Sequence, residues 1–206
     1  NRLKNMTENI DLLNLDTDPF KLFTQWFAEA SKKEINDPNA MNISTISDGL
    51  KPSSRMVLMK DFDNKGFVFY TNVNSKKGKS INDNSYVSLN FHWKSLLKQV
   101  RIEGRAIKVS DKEADAYYNT RPQESRIGAW ASNQSAKLEE RKKLLDNIEF
   151  YKKKFHDKII ERPAHWTGFR VKPSLIEFWQ DMPFRLHDRL EFTMIDNKWN
   201  SRKLYP

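Results

Sequence analysis

The chain has 206 residues, no cysteine and a formal net charge of +9, with 38% hydrophobic, 12% aromatic and 31% charged residues. That length suits one domain with an ordinary core, and the aromatic content argues against disorder. Disulfides, thiolate metal sites and a cysteine nucleophile are excluded, while the excess of cations calls for an anionic partner.

Charge alone does not choose among nucleic acid, a membrane surface and a phosphorylated small molecule. His92, His156, His165 and His187 show no metal-ligand spacing, so no metal is expected. No apolar run is long enough to span a bilayer and the N-terminus does not read as a signal peptide, so a cytoplasmic protein without a membrane partner is expected.

Residues 1–17 predict a loosely held arm ahead of a single domain over 18–206. Asp18-Pro19 is a helix start, with Phe20, Phe23, Trp26, Phe27 and Ala30 following at helical spacing. MNISTIS (41–47) reads as a strand and DGLKPS as a turn. RMVLMK (55–60), the polar turn DFDNKG and FVFYT (67–71) predict a hairpin, followed by a loop carrying Lys76, Lys77 and Lys79. Such a hairpin would bring Arg55 or Lys60 and the lysine loop to one sheet end, near the hydroxyls of Tyr70 and Thr71. That arrangement suits a phosphate; a solvated basic loop is the alternative.

KSINDNS reads as a short helix or turn, and YVSLNFHW and KQVRIEGRAIKVS as strands, with Gly104 marking a bulge. Ser110 and Glu113 form a capping box for DKEADAYYN. Pro122 opens a short helix to about Gly128. A long amphipathic helix is expected from Ser135 to about Lys154, its apolar stripe being Leu144, Ile148, Tyr151 and Phe155. WTGFRVKP, SLIEFWQ, RLEFTMI and KWNSRKLY read as strands. The expected fold is mainly β with inserted helices (α+β), an antiparallel sheet of seven or eight strands curled into a barrel.

Three clusters could carry chemistry beside the first hairpin. In RLHDR, an extended chain puts Arg185, His187 and Arg189 on one face, which either meets water or lines an anionic pocket. In YYNTRPQESRIGAW, Tyr117, Arg121 and Ser125 are four apart near a helix start, a second phosphate site or simply a capped helix pair. Gln134-Ser135 heads the long helix, where an N-cap is the plain reading. G-x-G-x-x-G, Walker A and nucleophile-elbow motifs are all absent, which leaves a bound organic cofactor to do the chemistry. A basic β-barrel could also bind single-stranded nucleic acid if Phe67, Phe69, Tyr70, Phe91 and Trp93 were exposed.

RMVLMK, FYTNVNSKKGK, QVRIEGRA, YYNTRPQESRIGAWASNQS and EFWQ…RLHDR, in that order, closely resemble the pyridoxine/pyridoxamine 5′-phosphate oxidase family over about Asp18 to Pro206. The RPxxSxIGAWxSxQS block and RLHDR are the specific parts. The resemblance implies a split barrel and a homodimer with FMN at the interface. It also implies a phosphorylated B6 vitamer as substrate, molecular oxygen as final acceptor, and no nucleic-acid partner. Matched by motif, the FMN contacts are Arg55, Met56, Val57, Leu58, Met59, Lys60, Tyr70, Thr71, Lys76, Lys77, Gln99, Trp179 and Arg189. Gln134 and Ser135 are expected from the other subunit. Lys60, Tyr117, Arg121 and Ser125 match the pocket for the substrate phosphate, and Arg185 and His187 the catalytic pair over the pyridine ring. A flavin barrel that reduces or stores is the neighbouring alternative. Lys76 stands where the family commonly has arginine, so a bidentate contact becomes a point charge. The arm lacks the Arg-Arg-Glu-Tyr lid sequence of many bacterial members.

Overall fold

The computed structural model describes residues 13–47 and 49–206, which form nine strands and five α-helices. Of the expected N-terminal arm, residues 1–12 lie outside the described residues; Leu13 is buried in the main core, and Ser201 Oγ donates to the carbonyl of Leu15. Helix α1 (Pro19–Lys33) starts as expected, the Asp18 carboxylate accepting from the amides of Phe20 and Lys21. It lays Leu22, Phe23, Trp26 and Ala30 into the core.

Strands β1 (Ala40–Ile46), β2 (Pro52–Leu58), β3 (Asp61–Asp63), β4 (Gly66–Asn72), β5 (Tyr86–Trp93), β6 (Lys98–Lys108) and β7 (Trp166–Gln180) follow the antiparallel order β2-β1-β5-β6-β7-β4-β3. The two ends of that order are consecutive in the chain. Met59 N donates to Asn39 O beside β1, and one residue later Lys60 N donates to Val68 O on β4. The sheet therefore closes on itself through the backbone around Met59, which is buried. This corrects the predicted hairpin: Arg55–Leu58 pairs with β1, and only Asp61–Asp63 pairs with β4.

Strand β7 is one element where two were expected. It pairs with β6 over Phe169–Gln180, with β4 over Trp166–Val171, then with β8 (Asp188–Ile195) over Leu175–Gln180. Pro173, without an N–H, lies between the two partnerships. Opposite it the register shifts at Glu103/Gly104, the expected bulge, and a Cβ on Gly104 would sit 2.2 Å from Lys172 O. Strand β9 (Lys198–Lys203) completes the outer ribbon on β8.

Helices α2 (Lys76–Asp83), α3 (Asp111–Thr120), α4 (Gln123–Ala131) and α5 (Arg141–Lys154) are insertions. The predicted lysine loop is thus the first turn of α2, capped by Ser75. The long helix starts at Arg141 rather than Ser135, and none of its residues is fully buried. RLHDR is not a continuous strand: Phe184 and Arg185 have φ of 59° and 62°, and β8 begins only at Asp188.

Alternation along the strands puts Ile43, Leu89, Phe91, Val100, Ile102, Ile176, Phe178, Leu190 and Phe192 into the core with α1. Phe23, fully buried, has ring contacts with Phe62, Phe67 and Phe91 at 4.9–5.2 Å. Phe23→Ala removes the hub of this cluster and is expected to cost about 3–5 kcal/mol, read as a lowered urea midpoint at unchanged slope.

Candidate functional site

The closure at Met59 brings β2, β4, α2, α3 and α4 around one cleft with two connected lobes of about 370 and 230 Å³. Tyr70, Thr71, Arg121, Gln134 and Trp166 line both lobes. Met56, Val57, Leu58, Lys60, Lys77 and Tyr117 line one, and Ser125 the other. No carboxylate lines either lobe, and among the described residues no group of three or more His, Cys, Asp or Glu could hold a metal.

One end of the cleft is built on the first turn of α2. Ser75 Oγ accepts from Gly78 N and donates to Asn72 O, and a Cβ on Gly78 would meet Val73 O at 2.4 Å. The helix can therefore press on the end of β4, and it buries Lys77. The Lys77 ammonium donates to Thr71 Oγ1 at 2.8 Å and lies 3.4 Å from Gln134 Oε1. Its partners are neutral oxygens, so burial, reinforced by the nearby Arg55 cation, pulls its pKa down to about 8. Arg55 is likewise held by neutral groups, donating to Thr45 Oγ1 at 2.8 Å and to Ser53 Oγ, and burial lowers its pKa. Two cations near enough to feel each other's charge, each held by neutral groups, favour an anion between or beside them.

The other end belongs to α3 and α4. Arg121 is the C-cap of α3, directly before Pro122 and α4. Its guanidinium carbon lies 4.7 Å from the ring centre of Trp166, and its Nη1 is buried without a hydrogen-bond partner. Burial lowers its pKa too. Beside it Tyr70 stacks on Tyr117 at 4.1 Å and on Trp166 at 5.1 Å, and burial pushes the Tyr70 hydroxyl up to about 12. This is a second donor set awaiting acceptors, joined to the first by Thr71 and the aromatic shelf.

Other expected residues lie elsewhere. Lys76 is exposed on α2, Met59 is buried, and Ser135 (φ 71°) sits in the turn before α5. Gln99, Trp179 and Arg189 occupy one rung across β6, β7 and β8. His187 packs 4.6 Å from Trp179, its Nδ1 3.0 Å from Asp181 Oδ1. Arg185 is exposed. The shared face expected for Arg185, His187 and Arg189 is not formed, because left-handed backbone at Phe184 and Arg185 breaks the alternation. Gln134, expected from the other subunit, lines the cleft of its own chain, where its Oε1 accepts from Thr71 Oγ1 at 3.1 Å. Trp166, Asn72 and Ser132 line the cleft without having been singled out; Trp166, the cation–π partner of Arg121, reads from the sequence only as the first residue of the predicted strand WTGFRVKP. The nucleic-acid reading fails on exposure, since Phe67, Phe69, Phe91 and Trp93 are buried in the barrel.

Residues 27–154 match the family model described as pyridoxamine 5′-phosphate oxidase, and residues 166–206 that described as the pyridoxine 5′-phosphate oxidase C-terminal dimerisation region. Curated relatives from Brucella canis and Brucella suis, each named pyridoxine/pyridoxamine 5′-phosphate oxidase, are 53% identical over 204 residues, 98% of this chain and 100% of theirs. Among solved structures, PhzG from Burkholderia lata, in complex with tetrahydrophenazine-1-carboxylic acid, superposes with a TM-score of 0.88 at 26% identity, covering 95% of this chain and 98% of that one. A pyridoxamine 5′-phosphate oxidase-related, FMN-binding protein from Nostoc punctiforme shares the fold at a TM-score of 0.73 and 13% identity, over 93% of this chain and 100% of its own.

The Lys77 charge costs folding free energy. Below pH 8 it is protonated folded and unfolded; between about 8 and 10.5 the folded state loses the proton first, so the handicap recedes as pH rises. At about 1.4 kcal/mol per pKa unit, less about 1 kcal/mol for the lost hydrogen bond and about as much again for solvent screening, Lys77→Met is expected to stabilise the ligand-free protein by about 1 kcal/mol at pH 7. The gain should shrink towards pH 10.5 in denaturant titrations.

Proposed function

This chain belongs to the pyridoxamine 5′-phosphate oxidase family, and we propose that it converts pyridoxamine 5′-phosphate or pyridoxine 5′-phosphate to pyridoxal 5′-phosphate with FMN as cofactor. The observation that carries this reading is the carboxylate-free cleft with a buried cation at each end, Lys77 held only by neutral oxygens and Arg121 with Nη1 lacking a partner. Two phosphorylated molecules, cofactor and substrate, need two such grips.

The residues fit FMN. Lys77 and Arg55 offer charge to its phosphate, and Lys76 lies next in the chain at the rim. Edge strand β2 exposes Met56 (61%) and Leu58 (37%) beside the cleft, an apolar border suited to a flat ring. Bound there, FMN would supply the hydride acceptor, with molecular oxygen as the terminal oxidant.

The chain's own residues would do the positioning. Lys60, Tyr117, Arg121 and Ser125 hold the substrate phosphate, remote from the exocyclic carbon that is oxidised, so binding energy is directed into alignment. Tyr70 and Trp166 brace that pocket and limit water. His187 Nδ1 lies 3.0 Å from Asp181 Oδ1; with the ring proton on Nδ1 and donated to that carboxylate, Nε2 would take a proton from the substrate's amine or alcohol. Arg185 orients the pyridine ring. Loss of two hydrogens from the amine gives an imine, and water then releases ammonia and the aldehyde.

The match to a dimerisation region supports a homodimer, with the Gln99–Trp179–Arg189 rung of one copy reaching the FMN held by the other. Among the described residues no helix is long and apolar enough to cross a membrane; a cytoplasmic location is part of this proposal.

The test is the purified protein with FMN in air. Pyridoxal 5′-phosphate and hydrogen peroxide should appear in equal amounts from pyridoxine 5′-phosphate, and unphosphorylated pyridoxine should be at least ~100-fold poorer in kcat/KM, the scale for removing a charge-assisted phosphate grip. Equal rates on the two substrates would overturn it. Lys77→Met should weaken FMN binding by a factor of ~10 or more, seen as reduced quenching of flavin fluorescence.

A further inference from the structure

We propose that Arg162 is a positioning residue for Arg121, setting the affinity for the substrate phosphate without touching it; this rests on the reading of Arg121 given above. Arg162 precedes β7, lies outside both lobes of the cleft, and its side chain is only 10% exposed. Three of its donors are engaged. Nε donates to Asp115 Oδ1 at 2.6 Å, Nη2 to Asp111 Oδ1 at 2.9 Å, and Nη1 to the carbonyl of Trp166 at 2.7 Å.

Those three bonds join the two halves of one contact. Asp111 and Asp115, four apart, share a face of α3, the helix whose C-cap is Arg121. Trp166 carries the ring against which the Arg121 guanidinium lies. A single planar fork thus fixes the helix bearing the cation relative to the backbone bearing its shelf. Packing contributes through Ala114 and Tyr118, both fully buried, with Tyr118 edge-on to Trp166 at 5.1 Å, but ring contacts tolerate sliding that a three-point fork does not. Arg170 adds one further tie, to Glu113 of α3 at 3.1 Å and to Asp63 of β3 at 2.7 Å. Loosening Arg162 lets α3 shift on β7, and a shift of the order of 1 Å is enough to spoil a phosphate grip.

The experiment is a double-mutant cycle on the FMN-loaded enzyme with pyridoxine 5′-phosphate. Arg162→Ala is expected to raise KM about 10-fold, with kcat within about twofold and FMN affinity, read by flavin fluorescence, unchanged. Arg162→Lys should recover part of the KM loss, a point charge reaching fewer of the three acceptors. In an Arg121→Ala background, adding Arg162→Ala should change KM by less than about twofold, because the group it positions is gone. A further full tenfold loss there, or equal losses in kcat and FMN affinity, would overturn the inference and leave the phosphate pocket standing. An unchanged KM in Arg121→Ala itself would overturn the pocket and the inference together. Should Arg162→Ala not fold, Asp115→Asn carries the same cycle, with KM raised about threefold and the same non-additivity.

Discussion

A cation buried against neutral oxygens is the constraint around which this chain is arranged. Lys77 has hydroxyl and amide partners where a structural lysine would have a carboxylate, and Arg55 adds like charge. Desolvating charge in this way opposes folding unless something returns the interaction. In the cleft lined by Trp166 and Gln134 a dianion does so better than water. Arg121 repeats the arrangement at the other end with a buried Nη1 and an aromatic face in place of an acid. Both ends therefore hold charge at a cost in stability.

The barrel makes this tolerable by supplying rigidity from elsewhere. Strand β7 gives its first half to the cleft, through Trp166 and its pairing with β4, and its second half to the outer ribbon of β8 and β9. Phe23 and its aromatic neighbours hold the strands together from within, so cleft residues stand on a frame that does not depend on them. Helix α3 is the exception. Ion pairs with Arg162 and Arg170 fasten it to β7, and its position is correspondingly sensitive to single charges.

The strands and the first helix were legible because period-2 and period-3.6 patterns are local: β5, β6 and the Asp18 cap read directly from the residues. Pairing was not local. The RMVLMK–FVFYT hairpin looked natural from its turn, yet β2 pairs with β1, and the short β3 that follows it takes the pairing with β4. The start of α5 was missed because Ser135 offers a hydroxyl without the geometry of a cap, while Glu140 occupies the capping position with no side-chain bond. Lys77 and Arg121 were legible as cations in a motif. That their value lies in lacking acids is a property of space, as is the role of Trp166, separated from Arg121 by more than forty positions.

One face of the sheet bears on what a second copy would add to the proposed site. Glu177 and Glu191 are directly opposed across β7 and β8, both buried, on the side facing away from the core. Like charges in register repel, and here Arg101, Arg189 and Arg202 neutralise them at 2.6–2.7 Å. Arg189 spends Nε on Glu177 and Nη1 on the carbonyl of Tyr205, which leaves Nη2 as its unused donor. It shares a rung with Trp179 and Gln99, none of which lines the cleft of the same chain. A network this costly to desolvate, which holds an arginine, an indole and an amide in one row, is better explained by a surface built to be covered than by one facing water. Under the proposed dimer that covering surface is the partner's cofactor site, and the row delivers there the contacts this chain's own cleft does not have.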